Sequence, residues 1–175
     1  MSFVSVFLMS LTLCLASAEY VLDARTGSCY KFHTAGRTWI RAYKTCREEG
    51  GYLAIINDDT EVQVIKDVFA KHPSEKIASN YKDVAYIGFC SWGDHDNWYT
   101  VHGQTLEEAG YSRWAPGEPN NQHAPGWAGE NCGSILRYTK PGAGMLNDVP
   151  CNITLAFICE MKPGSQLCDG NYMTK

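Results

Sequence analysis

Two helical periodicities set among short apolar strands predict a single small domain that mixes helices with strands. A long Gly- and Pro-rich segment that still carries most of the tryptophan adds an ordered loop, and an odd cysteine set without any C-x-x-C pair adds disulfide staples. The chain has 175 residues, the length of one domain. Hydrophobic residues make up 45% and charged residues 19%, which gives enough apolar material for a core and too little charge for a disordered chain. Lys and Arg total 15 against 19 Asp and Glu, a net charge of -4, so no basic excess exists to neutralise phosphates and no nucleic-acid partner is expected.

Residues 1–18, MSFVSVFLMSLTLCLASA, contain no charged side chain, carry an apolar run over 3–15 and end in Ala16-Ser17-Ala18. They are expected to be a secretory signal peptide cleaved after Ala18, which makes the protein secreted and extracellular. The run is too short to span a bilayer and no later segment is longer, so no membrane span is expected. Of eight cysteines, Cys14 leaves with this leader. The seven that remain, Cys29, Cys46, Cys90, Cys132, Cys151, Cys159 and Cys168, imply disulfides with one cysteine left as a free thiol or a bond to another chain. Without a C-x-x-C pair the zinc alternative fails.

The elements follow in order. Residues 28–32 alternate as a strand. Trp39, Ala42, Tyr43 and Cys46 recur at i, i+3, i+4 and i+7, the apolar face of a helix that Gly50-Gly51 stops. Residues 53–56 form a short buried strand. A second helix starts near Asp58, where Asp58 and Glu61 have capping-box spacing, and runs through Val62, Ile65 and Phe69 to Pro73. Residues 72–83 look like a solvated connection, and 85–89 the next strand, with Gly88 marking a close backbone approach. From 91 to 131 no period survives, yet Trp92, Trp98, Trp114 and Trp127 all fall there, enough aromatic surface for an ordered loop with a small core of its own. Residues 132–138 and 155–161 read as closing strands with a loop over 141–152 between them.

Hard oxygen donors collect in the second half. Glu118-Pro119-Asn120 lies in the long loop, Glu130 two residues before Cys132, and Asn147-Asp148 three residues before Cys151. Three carboxylates and two amides suit a calcium ion, which takes six to eight oxygens at about 2.3 to 2.6 Å. Taken alone, Glu-Pro-Asn is an ordinary turn tripeptide. It stands, however, with Tyr86-Ile87-Gly88-Phe89, Trp114-Ala115-Pro116-Gly117-Glu118-Pro119-Asn120-Asn121, Gly129-Glu130-Asn131-Cys132, Leu146-Asn147-Asp148-Val149-Pro150-Cys151 and Phe157-Ile158-Cys159-Glu160. In this order and spacing the pieces resemble the signature of the C-type lectin domain over roughly residues 29–161, in the manner of invertebrate hemolymph immune lectins.

The resemblance implies an α+β class domain of C-type lectin fold spanning 19–162, with two helices, small antiparallel sheets, a long calcium-binding loop and a tail over 163–175. It implies Ca2+ as cofactor, ligated by Glu118, Asn120, Glu130, Asn147 and Asp148, whose two open positions take adjacent sugar hydroxyls. The Glu-Pro-Asn form is similar to that of members preferring mannose over galactose, and a cis peptide before Pro119 is expected. His123 and Trp127, lying between the ligands, are further candidates for sugar contact. At the family's auxiliary calcium site this chain offers Ser91, His95, Asn121 and Asn131, so that site is expected to be absent or weak, with Asp94 and Asp96 as substitutes. Leu146 replaces the usual tryptophan before Asn-Asp. The family pattern further implies the bonds Cys46–Cys159 and Cys132–Cys151. Because the first and last strands pair in this fold, Cys29–Cys168 is expected as well, leaving Cys90, for which a disulfide-linked homodimer is favoured over a free thiol. Asn152-Ile153-Thr154 is an N-glycosylation sequon.

The function expected is therefore calcium-dependent binding of mannose-type glycans in innate immune recognition. The alternative is a protein-binding module of the same fold, of the venom and anticoagulant type, which commonly loses some of the five ligands. Enzymatic activity is not expected, since no nucleophile stands with a base partner and no cofactor loop is present.

Overall fold

The structure is a computed structural model and describes residues 20–126, 128–137, 143–164 and 168. The expected signal peptide, Trp127 and most of the tail lie outside the described residues. The chain runs β1 (Val21–Asp23), β2 (Ser28–Arg37), α1 (Trp39–Glu48), β3 (Tyr52–Leu53), α2 (Asp59–Ala70), a 3-10 turn (Ser74–Lys76), β4 (Val84–Cys90), β5 (Tyr99–Thr100), α3 (Leu106–Ala109), β6 (Cys132–Leu136), β7 (Leu146–Val149) and β8 (Leu155–Met161). The strands form one sheet in the order β1-β2-β8-β4-β6-β7, with β3 added to β8 and β5 to β4. All pairings are antiparallel except β4 with β8, so one mixed sheet replaces the small antiparallel sheets expected.

The first and last long strands close the domain: Cys29 pairs with Met161 and Phe32 with Ile158 across β2 and β8. Two apolar clusters cover the sheet. One gathers Val64, Ile65 and Phe69 of α2 with Phe32, Ile87, Ile135 and Ile158. The other packs Trp39, Ala42 and Cys46 of α1 against Leu53, Tyr86 and Phe157. The α1 face is the one the periodicity predicts, and Trp39 Nε1 donates to Ile87 O at 3.1 Å. Helix α2 keeps half of the predicted capping box: Asp58 Oδ1 accepts from Glu61 N at 2.8 Å, but the Glu61 carboxylate turns inward to accept from Tyr30 OH (2.5 Å) and Asn57 N (2.8 Å). Burial, and then the charge of Glu160, push that carboxyl up to about 7.

Four expectations change. The strand expected over 53–56 is only Tyr52–Leu53, because Ala54 leaves the ladder to donate to Ile158 O (2.9 Å) and accept from Gly88 N (2.8 Å). The connection over 72–83 is not fully solvated, since it contains the 3-10 turn and buries Ile77. A third helix, α3, forms inside the long loop on a capping box in which Thr105 Oγ1 accepts from Glu108 N and Glu108 Oε2 from Thr105 N. Finally, Asn147-Asp148 lies in strand β7 and not in a loop, because the ladder to β6 pairs Ser134 with Asn147 and Gly133 with Asp148.

The disulfides are Cys29–Cys168, Cys46–Cys159 and Cys132–Cys151. Cys90 is free and buried. At 4% exposure its thiol cannot reach a second chain unless β4 moves, which favours the free-thiol alternative over an interchain bond. No helix among the described residues is long and apolar enough to cross a membrane.

Candidate functional site: the loop beside β7

Three pieces of scaffold set the site. Strand β7 presents Asn147 and Asp148, and the Cys132–Cys151 bond ties its far end to the start of β6, where Glu130 and Asn131 lead in. Tyr86 OH reinforces this by donating to Pro150 O (2.5 Å) and Ile153 O (3.2 Å). The arm bearing Glu118 is held by Trp114 and Ala115, since Ala115 N donates to Leu146 O at 2.9 Å. Beneath it Phe89, Trp98 and Trp114 form an edge-to-face triad with centroids 5.0 to 5.6 Å apart. This is the aromatic nucleus of the long loop, and it explains why a segment without secondary-structure period is ordered. The Glu118-Pro119 peptide is cis.

With these supports the chain folds Glu118, Asn120, Glu130 and Asp148 onto one another. Asp148 Oδ1 accepts from Asn120 N (3.2 Å) and Oδ2 from Asn121 N (2.8 Å). Gln122 N donates to both Asn120 Oδ1 and Glu130 Oε2, each at 2.8 Å, and Glu130 N donates to Asn121 Oδ1 at 3.0 Å. Asn121 achieves this from a left-handed backbone (φ 45°), which asparagine tolerates. Gly129 completes the fit, because a Cβ there would stand 2.6 Å from Asn121 Oδ1. Asn147 Nδ2 donates to Asp148 O (2.8 Å) and Ser134 Oγ (3.4 Å), so a cation at this site would meet its Oδ1.

The electrostatics are unbalanced. Glu118 Oε2 is buried and receives no hydrogen bond, and the Glu118 carboxyl lies close to the carboxylates of Asp148 and Glu130. Burial first, then the Asp148 hydrogen bond and the charges of Asp148 and Glu130, push the Glu118 carboxyl up to about 7. Burial, with the charge of Asp148 added, pushes Glu130 up to about 7 as well, against the Gln122 N–H. Three carboxylates and two amide oxygens with one orphaned, buried carboxylate oxygen are a donor set that fits a hard divalent cation. To hold such an ion the three carboxylates would have to close inward, since the one set of three His, Cys, Asp or Glu donors within 4.8 Å of one another among the described residues is His33, Glu49 and Cys159. That set cannot bind a metal through sulfur, because Cys159 is bonded to Cys46.

Of the remaining candidates, His123 is exposed in the same loop, with its Cε1 3.4 Å from where a Gly129 Cβ would lie, and Trp127 lies outside the described residues. The auxiliary positions are engaged with one another: Ser91 Oγ lies 3.0 Å from Asn131 Oδ1, to which it donates, and Ser91 N donates to Asn131 O at 3.0 Å. Asp94 accepts from Asn97 N (2.8 Å) and Asn97 Nδ2 (3.2 Å) in a turn of its own. The contribution of Gln122 was not legible in the sequence, because it acts through its backbone N–H and carries no residue-type signal.

A donor-rich loop of this kind, set on a sheet in which β2 pairs with β8, is the frame of a binding domain. The chain belongs to the C-type lectin domain family, whose model matches residues 35–161. It is 36% identical over 144 residues to the hemolymph lipopolysaccharide-binding protein of Periplaneta americana, covering 82% of this chain and 52% of that protein. The chain therefore spans about half the length of that relative. Among solved structures it is similar to the mouse scavenger receptor C-type lectin carbohydrate-recognition domain, at 26% identity and a TM-score of 0.61 over 78% of this chain and 91% of that one. A cow CD23 carbohydrate-recognition domain solved in the presence of GlcNAc2Man3 oligosaccharide gives 25% identity and a TM-score of 0.61 over 79% and 91%. Domains of this family are in general not enzymes.

Proposed function

We propose that the domain binds mannose-type glycans through one calcium ion held by Glu118, Asn120, Glu130, Asn147 and Asp148, and serves secreted innate immune recognition of microbial or cell-surface glycans. The observation that carries it is the cluster of Glu118, Glu130 and Asp148, in which a buried carboxylate oxygen has no donor and two carboxyls hold protons well above the usual range. Bound there, calcium would supply the missing charge and polarise two vicinal sugar hydroxyls. The chain's own groups would accept the hydroxyl protons at the glutamates and donate from the Asn120 amide. No bond is broken.

The hemolymph location and lipopolysaccharide binding in the name of the Periplaneta americana relative support a secreted, glycan-directed role, as does an apolar leader over 1–18 ahead of a domain over 19–162. Asn152 is exposed in the turn after β7, which suits glycosylation of its sequon. The test is retention on a mannose column at millimolar calcium with release by a chelator. Passage through the column unretained, together with no binding across a broad glycan array, would leave the protein-binding alternative.

A further inference from the structure

Trp92 is at odds with the rest of the aromatic loop. Trp98 is 7% exposed and Trp92 is 75% exposed. A single exposed apolar residue is ordinary. Trp92, however, also takes a left-handed backbone, φ 53°, which bulky residues rarely adopt and which turns its indole outward. The surrounding turn holds it there: Ser91 N donates to Asn131 O (3.0 Å), Gly93 N to Ser91 Oγ (3.4 Å) and Asp94 N to Ser91 O (3.2 Å). Beside it lies an open cavity of about 320 Å³ lined by Cys90, Trp92, Gly93, Asn131 and Cys151. That volume is at the small end of the range for ligand sites.

Two of the cavity's lining residues stand close along the chain to members of the donor cluster. Asn131 follows Glu130 directly, and Cys151 stands three residues beyond Asp148, joined by its disulfide to Cys132. A ligand anchored at the cluster and extended past Glu130 toward Asn131 enters the cavity that Trp92 also lines.

We infer that Trp92 and its cavity form a second saccharide subsite, taking a further pyranose ring of an oligosaccharide whose terminal residue sits at the calcium cluster. An indole face carries negative charge density and matches the weakly positive C–H groups on one face of a sugar ring. The Asn131 amide and the backbone at Gly93 supply the polar edge that a sugar needs and an acyl chain does not. The inference rests on the calcium-site reading for its anchor, while the subsite itself uses none of the five proposed ligands.

The experiment compares methyl α-mannoside with a mannotriose by calorimetry, in the full chain and in Trp92→Ala, at millimolar calcium. The wild type should bind the trisaccharide about three- to tenfold more tightly, the range a single aromatic contact provides. Trp92→Ala should remove that gain and leave the monosaccharide affinity unchanged. Equal loss for both sugars, or no loss for either, overturns the subsite. The same trisaccharide is then titrated in chelator while the Trp92 indole N–H is followed by NMR. A shift there with no calcium-dependent monosaccharide binding keeps the subsite and removes the calcium reading. No indole shift in either condition, or a shift produced by octyl detergent and not by the trisaccharide, overturns the subsite.

Discussion

At the scale of single residues, the geometry around Asp148 sets the chemistry. Both of its carboxylate oxygens are taken by the backbone N–H groups of Asn120 and Asn121, so the turn after cis Pro119 is docked before any ligand arrives. In the function proposed here, side-chain identity at Glu118 and Asn120 selects which hydroxyls fit. Exchanging them in Glu118→Gln with Asn120→Asp should move preference from mannose toward galactose, read as a reversal of elution order on the two sugar columns; unchanged order would refute the assignment of those two residues. The carboxyls of Glu118 and Glu130 add a pH dependence. Each is held up to about 7, against 4.5 in the unfolded chain, so the folded metal-free state binds more protons than the unfolded state between those values. Stability from these two groups is therefore present at acid pH and lost as pH rises through about 7, the reverse of a salt-bridged carboxylate. Calcium has the opposite preference, since it binds the ionised forms. Its affinity should fall below pH 7 by about tenfold per unit for each proton displaced. The rise in melting temperature on adding calcium should be large at pH 7.5 and absent at pH 4.5, and an equal rise at both would refute displacement of protons by the ion.

Among the elements, helix α2 shows a capping signal diverted by burial. Asp58 caps Glu61 N as its spacing predicts, but Glu61 points into the domain and bonds Tyr30 of β2, so the residue that would complete a surface box becomes a buried strut between helix and sheet. Glu61→Gln keeps acceptance from Asn57 N through its carbonyl, and its amide can donate to the Tyr30 oxygen while Tyr30 OH donates to Thr26 Oγ1. The variant should fold, and its stability should lose the decline that the raised Glu61 carboxyl produces between about pH 4.5 and 7. Urea midpoints across that range check this. Strand β4 makes a second point: a Cβ at Gly88 would collide with Leu53 O, so the sequence signal for close approach at Gly88 corresponds to a contact between β4 and the end of β3. Strand β7 went unrecognised because LNDV carries polar residues at two of four positions, and its strand character comes from the ladder to β6.

For the whole molecule, the staples and the sheet act together. The Cys46–Cys159 bond joins α1 to β8 across a sequence separation of 113 residues. In the chain-entropy model a loop of that order contributes about 4.7 kcal/mol, so the double variant Cys46→Ser with Cys159→Ser should lose about 4 to 5 kcal/mol in urea unfolding. Non-reducing electrophoresis should give a monomer with one thiol, at Cys90, because the buried position of that residue in β4 opposes a bond between chains. The sequence alone determined the α1 face, the start of α2 and the order of the donor residues, because periodicity, capping and motif spacing are local and survive without neighbours. It also determined that the long loop has an aromatic nucleus, through tryptophans such as Trp98 and Trp114, which meet edge to face. Only the tertiary structure decided that Asn147-Asp148 rides on a strand, that Glu61 turns inward, that Trp92 faces out, and that one mixed sheet runs from β1 to β7. Those outcomes depend on ladder partners and burial supplied by residues tens of positions away, and no short stretch of chain encodes them.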